Sequence, residues 1–206
     1  IIGIGSVITL LSIGSAVESY IKGEFTSLGA NLLTISSREP EGSTRNRAEP
    51  LSSLDVEAMR DPQVAPSLGL VTSEYAFIGF VTRGGERVNT SIRGVEPDIG
   101  DILNWEPEDG TFITSEHVET LRRVAVIGQD IVEDLFDDIE GPPLGETLQI
   151  NDQVFTIVGV MSQRDTLVTN DDASIFVPIT TAQTRLASDA RLSGGYKVTA
   201  IYAQAR

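Results

Sequence analysis

The sequence contains no cysteine. That removes disulfides, cysteine-ligated zinc and a cysteine nucleophile, and leaves the redox compartment open. It contains one histidine, His117, so a zinc site built on several imidazoles is excluded, while carboxylate sites stay open. Basic side chains are scarce. There are 15 Lys plus Arg against 30 Asp plus Glu, for a net charge of −15, and Lys22 and Lys197 are the only lysines. Nucleic acid as a partner needs clustered Lys and Arg against phosphate, and this balance argues against it. An anionic membrane surface would repel the charged part for the same reason. An acidic, lysine-poor surface suits a salty or extracytoplasmic setting; ordinary solubility from net charge explains it equally well.

Chemical motifs are also missing. No GxxxxGKS/T stretch occurs, so this segment does not itself hydrolyse ATP. Gly3-Ile4-Gly5 lacks the third glycine of a dinucleotide fingerprint and lies inside an apolar run. His117 sits in Ser115-Glu116-His117-Val118-Glu119, but sequence proximity to a serine makes no triad, and an exposed loop histidine is the expectation. The acidic groups Glu106, Glu108, Asp109 and Asp137, Asp138, Glu140 do not fit a calcium loop. An acidic residue should stand five before the glycine, where Gly110 has Trp105 and Gly141 has Phe136. Solvated turns are expected at both, and a loop tip at Asp171 and Asp172. No catalytic residue, metal or cofactor is expected in the segment.

What the chain does have is an unbroken apolar start. From Ile1 to Val17 there is no charge, only Gly, Ser6, Thr9, Ser12 and Ser15 among apolar residues. Charge then arrives at Glu18, Lys22 and Glu24 without a helix breaker. The pattern reads as a helix running from an apolar environment into water over 1–28. Seventeen helical residues span ~25 Å, short of the ~30 Å of a bilayer core. The chain opens on Ile1 rather than methionine, and more of this helix is expected upstream. Two rivals remain: a buried core helix, which should carry a clear polar face, and a signal remnant, which should carry a basic start.

The remainder alternates short apolar runs with turns. Gly29 is placed to end the first helix, and Asn31–Ser36 reads as a strand. Arg38–Pro50 is a charged loop; Arg45 and Arg47 are solvated there, with a contact site as the alternative. Ser52 and Asp55 form a capping-box pattern for a short helix with Leu54, Ala58 and Met59 on its buried side, ended by Pro62. Residues 68–71, 75–81 and 87–95 read as strands, with Arg83-Gly84-Gly85-Glu86 as a hairpin turn and Gly79 as a bulge. A helical turn follows at 97–103, then a tight acidic loop from Trp105 to Gly110. Val124–Ile127 reads as a buried strand, and Gln129–Phe136 as a helix with Ile131, Val132, Leu135 and Phe136 inward. Strands 147–150 and 154–160 flank a short connection at Asn151-Asp152-Gln153. Ser174–Val177 is a strand, 181–186 a helix and 196–203 a strand. The fold class is α+β, without internal repeat. Phe80, Trp105 and Phe112 are candidates for an apolar substrate or partner surface, with core packing as the default. Glu18 and Lys22 are spaced for a local helix ion pair, with a dimer contact as the alternative.

The order of these pieces resembles the extracytoplasmic core domain of MacB-type ABC transporter permeases, which share the FtsX-like membrane fold. The resemblance rests on GIGSVITLLSIGSAVE leading into SLGANLLTIS, then LSSLDVEAM, Gly94-Val95, DGTFIT, RVAVIGQDIVEDLF, LGETLQINDQVFTIVGV and SIFVPITTAQTRL. It implies a transmembrane and stalk helix (1–28) followed by a mixed α/β extracytoplasmic domain. That domain would have a porter-like part from 29–95 and 178–206 and an inserted sabre-like part near 96–177. It also implies a multi-pass permease in the cell membrane, working as a homodimer with an ATPase subunit or module that uses ATP and magnesium. A periplasmic adaptor is a further implied partner. The domain itself would be non-catalytic and would couple helix motion to export through the stalk residues Glu18, Ile21, Lys22 and Phe25. Alternatives are a lipoprotein-releasing or peptide-sensing permease of the same fold, a singly anchored binding domain, and a membrane-anchored hydrolase.

Overall fold

The computed structural model describes residues 32–37, 49–164 and 171–205. The expected membrane and stalk helix, with Glu18, Ile21, Lys22 and Phe25, lies outside the described residues, as do most of the 38–50 loop and the tip of the 162–172 loop. Among the described residues no helix is long and apolar enough to cross a membrane.

Nine strands form one sheet, and β2 (Leu68–Arg83) is its spine. Its sixteen residues turn at Gly84-Gly85 into β3 (Glu86–Val95). Both glycines have positive φ, +59° and +97°, which a two-residue turn matched to strand twist requires. On its other edge β2 pairs with β11 (Ala200–Ala205) at one end, and with β6 (Thr147–Ile150) at Val81 and Thr82. β11 in turn pairs with β1 (Leu32–Ser36). Beyond β3 the order runs through β8 (Ser174–Pro178), β5 (Val124–Ile127) and β7 (Gln153–Met161) to β4 (Pro107–Gly110). Because β6 pairs with both β2 and β7, the path β2-β3-β8-β5-β7-β6 returns to β2 and closes a ring. Strands expected within 96–177 thus hydrogen-bond directly to strands of 29–95, β8 with β3 and β6 with β2.

Side chains alternate across this ring as the pleat dictates. Inward positions are apolar and buried: Val81, Ile92, Ile127, Ile150, Phe155, Ile157 and Ile175. Helix α1 (Ser53–Arg60) and the helix Ile179–Leu186 contribute Val56, Ile179 and Ala182 to the same core. The latter begins as an α-turn and continues as a π-turn. A second core lies on the outward face at one end. There α2 (Ile99–Leu103) and Trp105 cover Val95, Val126 and Phe176.

Several local expectations change. The strands expected at 68–71 and 75–81 are one strand, and Gly79 makes no bulge: it pairs in register with Thr90. A Cβ there would come within 2.9 Å of the Ile92 side chain, so close packing explains the glycine. The acidic stretch 106–110 is largely a strand, β4, because β7 offers it an edge. In α1 the buried side belongs to Val56, with Met59 packed against the core, while Leu54 and Ala58 are exposed. Arg60 fixes that phase by donating from Nε to the Val71 carbonyl at 3.1 Å. The strand expected over 196–203 is divided: β10 (Gly195–Tyr196) pairs with β9 (Arg191–Leu192), and β11 begins at Ala200. His117 stands in a helix, α3 (Ser115–Glu119), not in a loop.

Candidate functional site

Three features of the described residues bear on function: the position of the terminal strands, a buried chain of charges, and an uncovered face of the ring. β1 and β11 run antiparallel, with Leu32 opposite Gln204 and Leu33 opposite Ala203. The segment before β1 therefore enters beside the point where β11 leaves. β11 in turn pairs with β2, and β2 continues into the ring.

The buried charges start from the same strand. Tyr202 on β11 donates to Glu74 Oε2 at 3.2 Å. Arg93 on β3 meets that same oxygen through Nη2 at 2.6 Å and Asp171 Oδ1 through Nη1 at 2.8 Å. Its guanidinium carbon lies 5.1 Å from the centre of the Phe176 ring. The Arg93 side chain is 9% exposed and that of Glu74 7%. Burial works against the Arg93 charge, but Glu74 foremost, with Tyr202 and Asp171, together hold its pKa above the ordinary arginine value. Burial chiefly, and the Glu74 charge next, raise the Tyr202 hydroxyl and keep it a donor. One buried polar atom, Arg93 Nε, has no hydrogen-bond partner among the described residues. Sequence reasoning missed this chain. Its signal was Glu74 and Arg93, charges far from the turn in two strands joined by a two-residue hairpin, whose register sets Ala76 opposite Arg93 and Val95 opposite Glu74.

The three aromatics expected at a surface separate. Trp105 is 4% exposed, donates from Nε1 to the Ser162 carbonyl at 2.8 Å, and meets Phe176 edge-on at 5.3 Å. Phe112 is half-buried against the same Phe176 ring, 6.0 Å away. Phe80 belongs to another place. It is 48% exposed on the outward face of the ring, with the Arg87 guanidinium 3.8 Å from its ring centre. Beside it stand Ile78 and Val154, both exposed.

Next to this face lies a groove of about 450 Å³ lined by Thr82, Arg83, Asp138, Glu146, Gln149 and Val154 among others. Arg83 is committed there: it holds Asp138 at 2.5 Å, donates to the Leu135 carbonyl at 2.7 Å, and stacks 4.3 Å from the Phe136 ring centre. The hydrogen bond from Arg83 holds the Asp138 carboxyl below its ordinary pKa.

The expected acidic clusters do not converge. Among the described residues no group of three or more His, Asp or Glu is placed to hold a metal ion. Glu108 accepts from Gln129 Nε2 at 3.0 Å, and Asp138 is held by Arg83. His117 caps the start of α3. Its backbone N–H donates to Thr114 Oγ1 and its Nδ1 accepts from the Thr114 N–H, each at 3.3 Å. It fills the helix position where a capping box has Glu or Gln.

The fold is shared with solved extracytoplasmic domains of membrane transporters. The periplasmic region of MacB from Actinobacillus actinomycetemcomitans superposes with a TM-score of 0.69 at 19% identity, over 88% of this chain and 77% of that one. The extracellular domain of the noncanonic ABC-type transporter YknZ from Gram-positive bacteria gives 0.66 at 16% identity, over 85% and 84%. In sequence, the family model described as the MacB-like periplasmic core domain matches residues 1–206, and the chain belongs to that family. Among curated relatives, the macrolide export ATP-binding/permease protein MacB of Azoarcus sp. (strain BH72) is 29% identical over 189 residues, 90% of this chain and 28% of that protein. The same-named protein of Shewanella sp. (strain ANA-3) is 27% identical, over 94% and 30%. The chain thus spans under a third of the length of these relatives.

Proposed function

We propose that this chain is the non-catalytic extracytoplasmic domain of an ABC transporter permease, which passes the motion of ATP-driven membrane helices to a substrate or partner outside the membrane. Membership of the periplasmic core family supports the location. The observation that carries the coupling is the pairing of β1 with β11 at the sheet margin and the continuation of that ladder through β2 into the ring. An element gripping both terminal strands moves the sheet as a unit, because the ladder hydrogen bonds and the buried Tyr202-Glu74-Arg93-Asp171 chain resist slip between strands. In this reading the ATPase is a separate module or subunit carrying ATP and magnesium, the permease is a homodimer, and a periplasmic adaptor is a further partner.

The reading is tested in the intact transporter by Ile21→Pro. A proline in a helix interior removes a hydrogen bond and kinks the helix. The expected result is loss of transport with ATP hydrolysis largely kept. Loss of both together, or retention of both, counts against coupling through this segment.

A further inference from the structure

The outward face of β3-β2-β6-β7 differs from the rest of the protein in charge. Cross-strand pairing puts Ile78, Phe80 and Thr82 on the same side as Ser91, Asn89 and Arg87, and continues through Gln149 to Val154 and Thr147 to Thr156. None of these is acidic, in a chain with 30 Asp plus Glu and a net charge of −15. Three are apolar and exposed: Ile78 at 67%, Phe80 at 48% and Val154 at 46%. Glu74 and Arg93 lie further along the same face and are buried against each other, and Asp138 and Glu146 line the adjoining groove. Among the positions named here the single charge is Arg87, which lies on the Phe80 ring and has no ion pair among the described residues.

The backbone at the centre of this face is open as well. β2 loses its ladder with β11 after Glu74 and regains one with β6 at Val81. Within that interval the Ala76 N–H goes to Thr199 Oγ1 at 2.9 Å and the Phe80 N–H to Asn151 Oδ1 at 3.1 Å. Alternate amides of a strand point to the same edge, so the Ile78 amide faces the gap between them, where no strand among the described residues pairs with it.

We infer that this face binds a protein segment presenting apolar side chains flanked by carboxylates. Ile78, Phe80 and Val154 would take the apolar side chains, Arg87 a carboxylate, and the Ile78 amide a main-chain contact. Charge complementarity selects this occupant. An anionic membrane needs several clustered basic residues, and this face has one unpaired guanidinium. A second copy meeting it through the same face would bring a second Arg87 and no carboxylate to pair with it. A small apolar ligand needs a concave, enclosing site, and these side chains stand on an open pleated face. The inference rests on this face alone and does not depend on the transport reading.

The test uses the full chain and labelled peptides of about twelve residues, the length of an extended docking segment. One peptide alternates leucine with glutamate, one leucine with lysine, and one serine with glutamate; binding is read by fluorescence anisotropy. The leucine–glutamate peptide is expected to bind saturably and best of the three. Ile78→Ser, Phe80→Ser and Arg87→Glu should each weaken it by about tenfold, and Val64→Ser, at an exposed position off this face, should leave it unchanged. All four positions are solvent-facing, so folding is checked by an unchanged melting temperature. Equal or tighter binding of the leucine–lysine peptide, or indifference to the three substitutions, overturns the proposal. So does Phe80-dependent self-association in sedimentation, which gives the face to a second copy. Phe80-dependent flotation with phosphatidylglycerol vesicles gives it to lipid and overturns the proposal equally.

Discussion

The outward face of the ring has two ends on one continuous sheet, and they are treated in opposite ways. At one end Val95, Val126 and Phe176 are roofed by α2 and Trp105 and are fully buried. At the other, Ile78 and Phe80 on β2 stand in solvent with no element over them among the described residues. Between the ends sits Arg93, paired with Glu74 and Asp171 and touching Phe176. Neighbouring positions on one pleated surface thus serve stability and recognition separately. What divides them is whether the chain supplies its own cover, not how apolar the strand is.

The contrast breaks most visibly at the roofed end. Phe176→Ala removes the ring that Trp105, Phe112 and Arg93 all contact, and should lower stability by about 3–5 kcal/mol in denaturant unfolding. Arg93→Ala leaves Glu74 buried without its partner, and a loss of about 3–4 kcal/mol is expected. Arg93→Met with Glu74→Leu should recover most of it, because a buried pair exchanged for apolar side chains is often neutral. A loss as large in the double variant as in Arg93→Ala would show that packing, not the stranded charge, is responsible.

Smaller effects follow from single groups. Tyr75 is buried and donates to Asp189 Oδ1 at 3.1 Å. Burial, then the Asp189 charge, push its hydroxyl up to about 12. The unfolded chain ionises this tyrosine near its ordinary value of 10 while the folded chain does not. Its contribution is therefore complete below that value and is lost as pH rises toward 12. Tyr75→Phe should flatten the fall in stability across that alkaline window. Asp138, depressed by Arg83, has the opposite sign: its contribution holds above the ordinary aspartate range and fades as pH falls through its lowered value. Asp138→Asn should remove that part of the acid dependence, a small effect because the pair is exposed. Least of all, Phe80→Ser should change stability by no more than about 0.5 kcal/mol, against the large loss for Phe176→Ala.

Much of the local structure was legible because its signals are local. Gly84-Gly85 between alternating runs gave the hairpin, and VAVI gave a buried strand. The Ser52 and Asp55 pair gave the start of α1, where the Ser52 N–H donates to Asp55 Oδ2 at 2.7 Å. The ring was not legible. Its closure depends on pairs such as Ser91 with Ser174 and Val81 with Ile150, and no strand carries a mark naming a distant neighbour. β4 was misread because Pro-Glu-Asp-Gly has no strand pattern of its own, and an available edge overrides propensity. The phase of α1 failed because eight residues offer too few apolar positions to fix a stripe, and Arg60 decided it from outside the pattern. Among the three aromatics, residue type alone could not tell Phe80 from Trp105 and Phe112. Place separates them: Phe80 projects from β2 into solvent, while Trp105 and Phe112, on either side of β4, pack onto Phe176.

The central claim, that this domain moves with the ATP cycle through its terminal strands, is tested most directly by distance measurement in the intact transporter, taken as the proposed homodimer. These 206 residues contain no cysteine, so in a transporter whose cysteines elsewhere are replaced, a spin label at Val64→Cys reports one exposed site in each protomer. The account predicts a label-to-label distance that differs between nucleotide-free and ATP-trapped transporter. It also predicts that Ile21→Pro abolishes the difference while hydrolysis continues. A distance indifferent to nucleotide, or one that shifts equally in the proline variant, would contradict it.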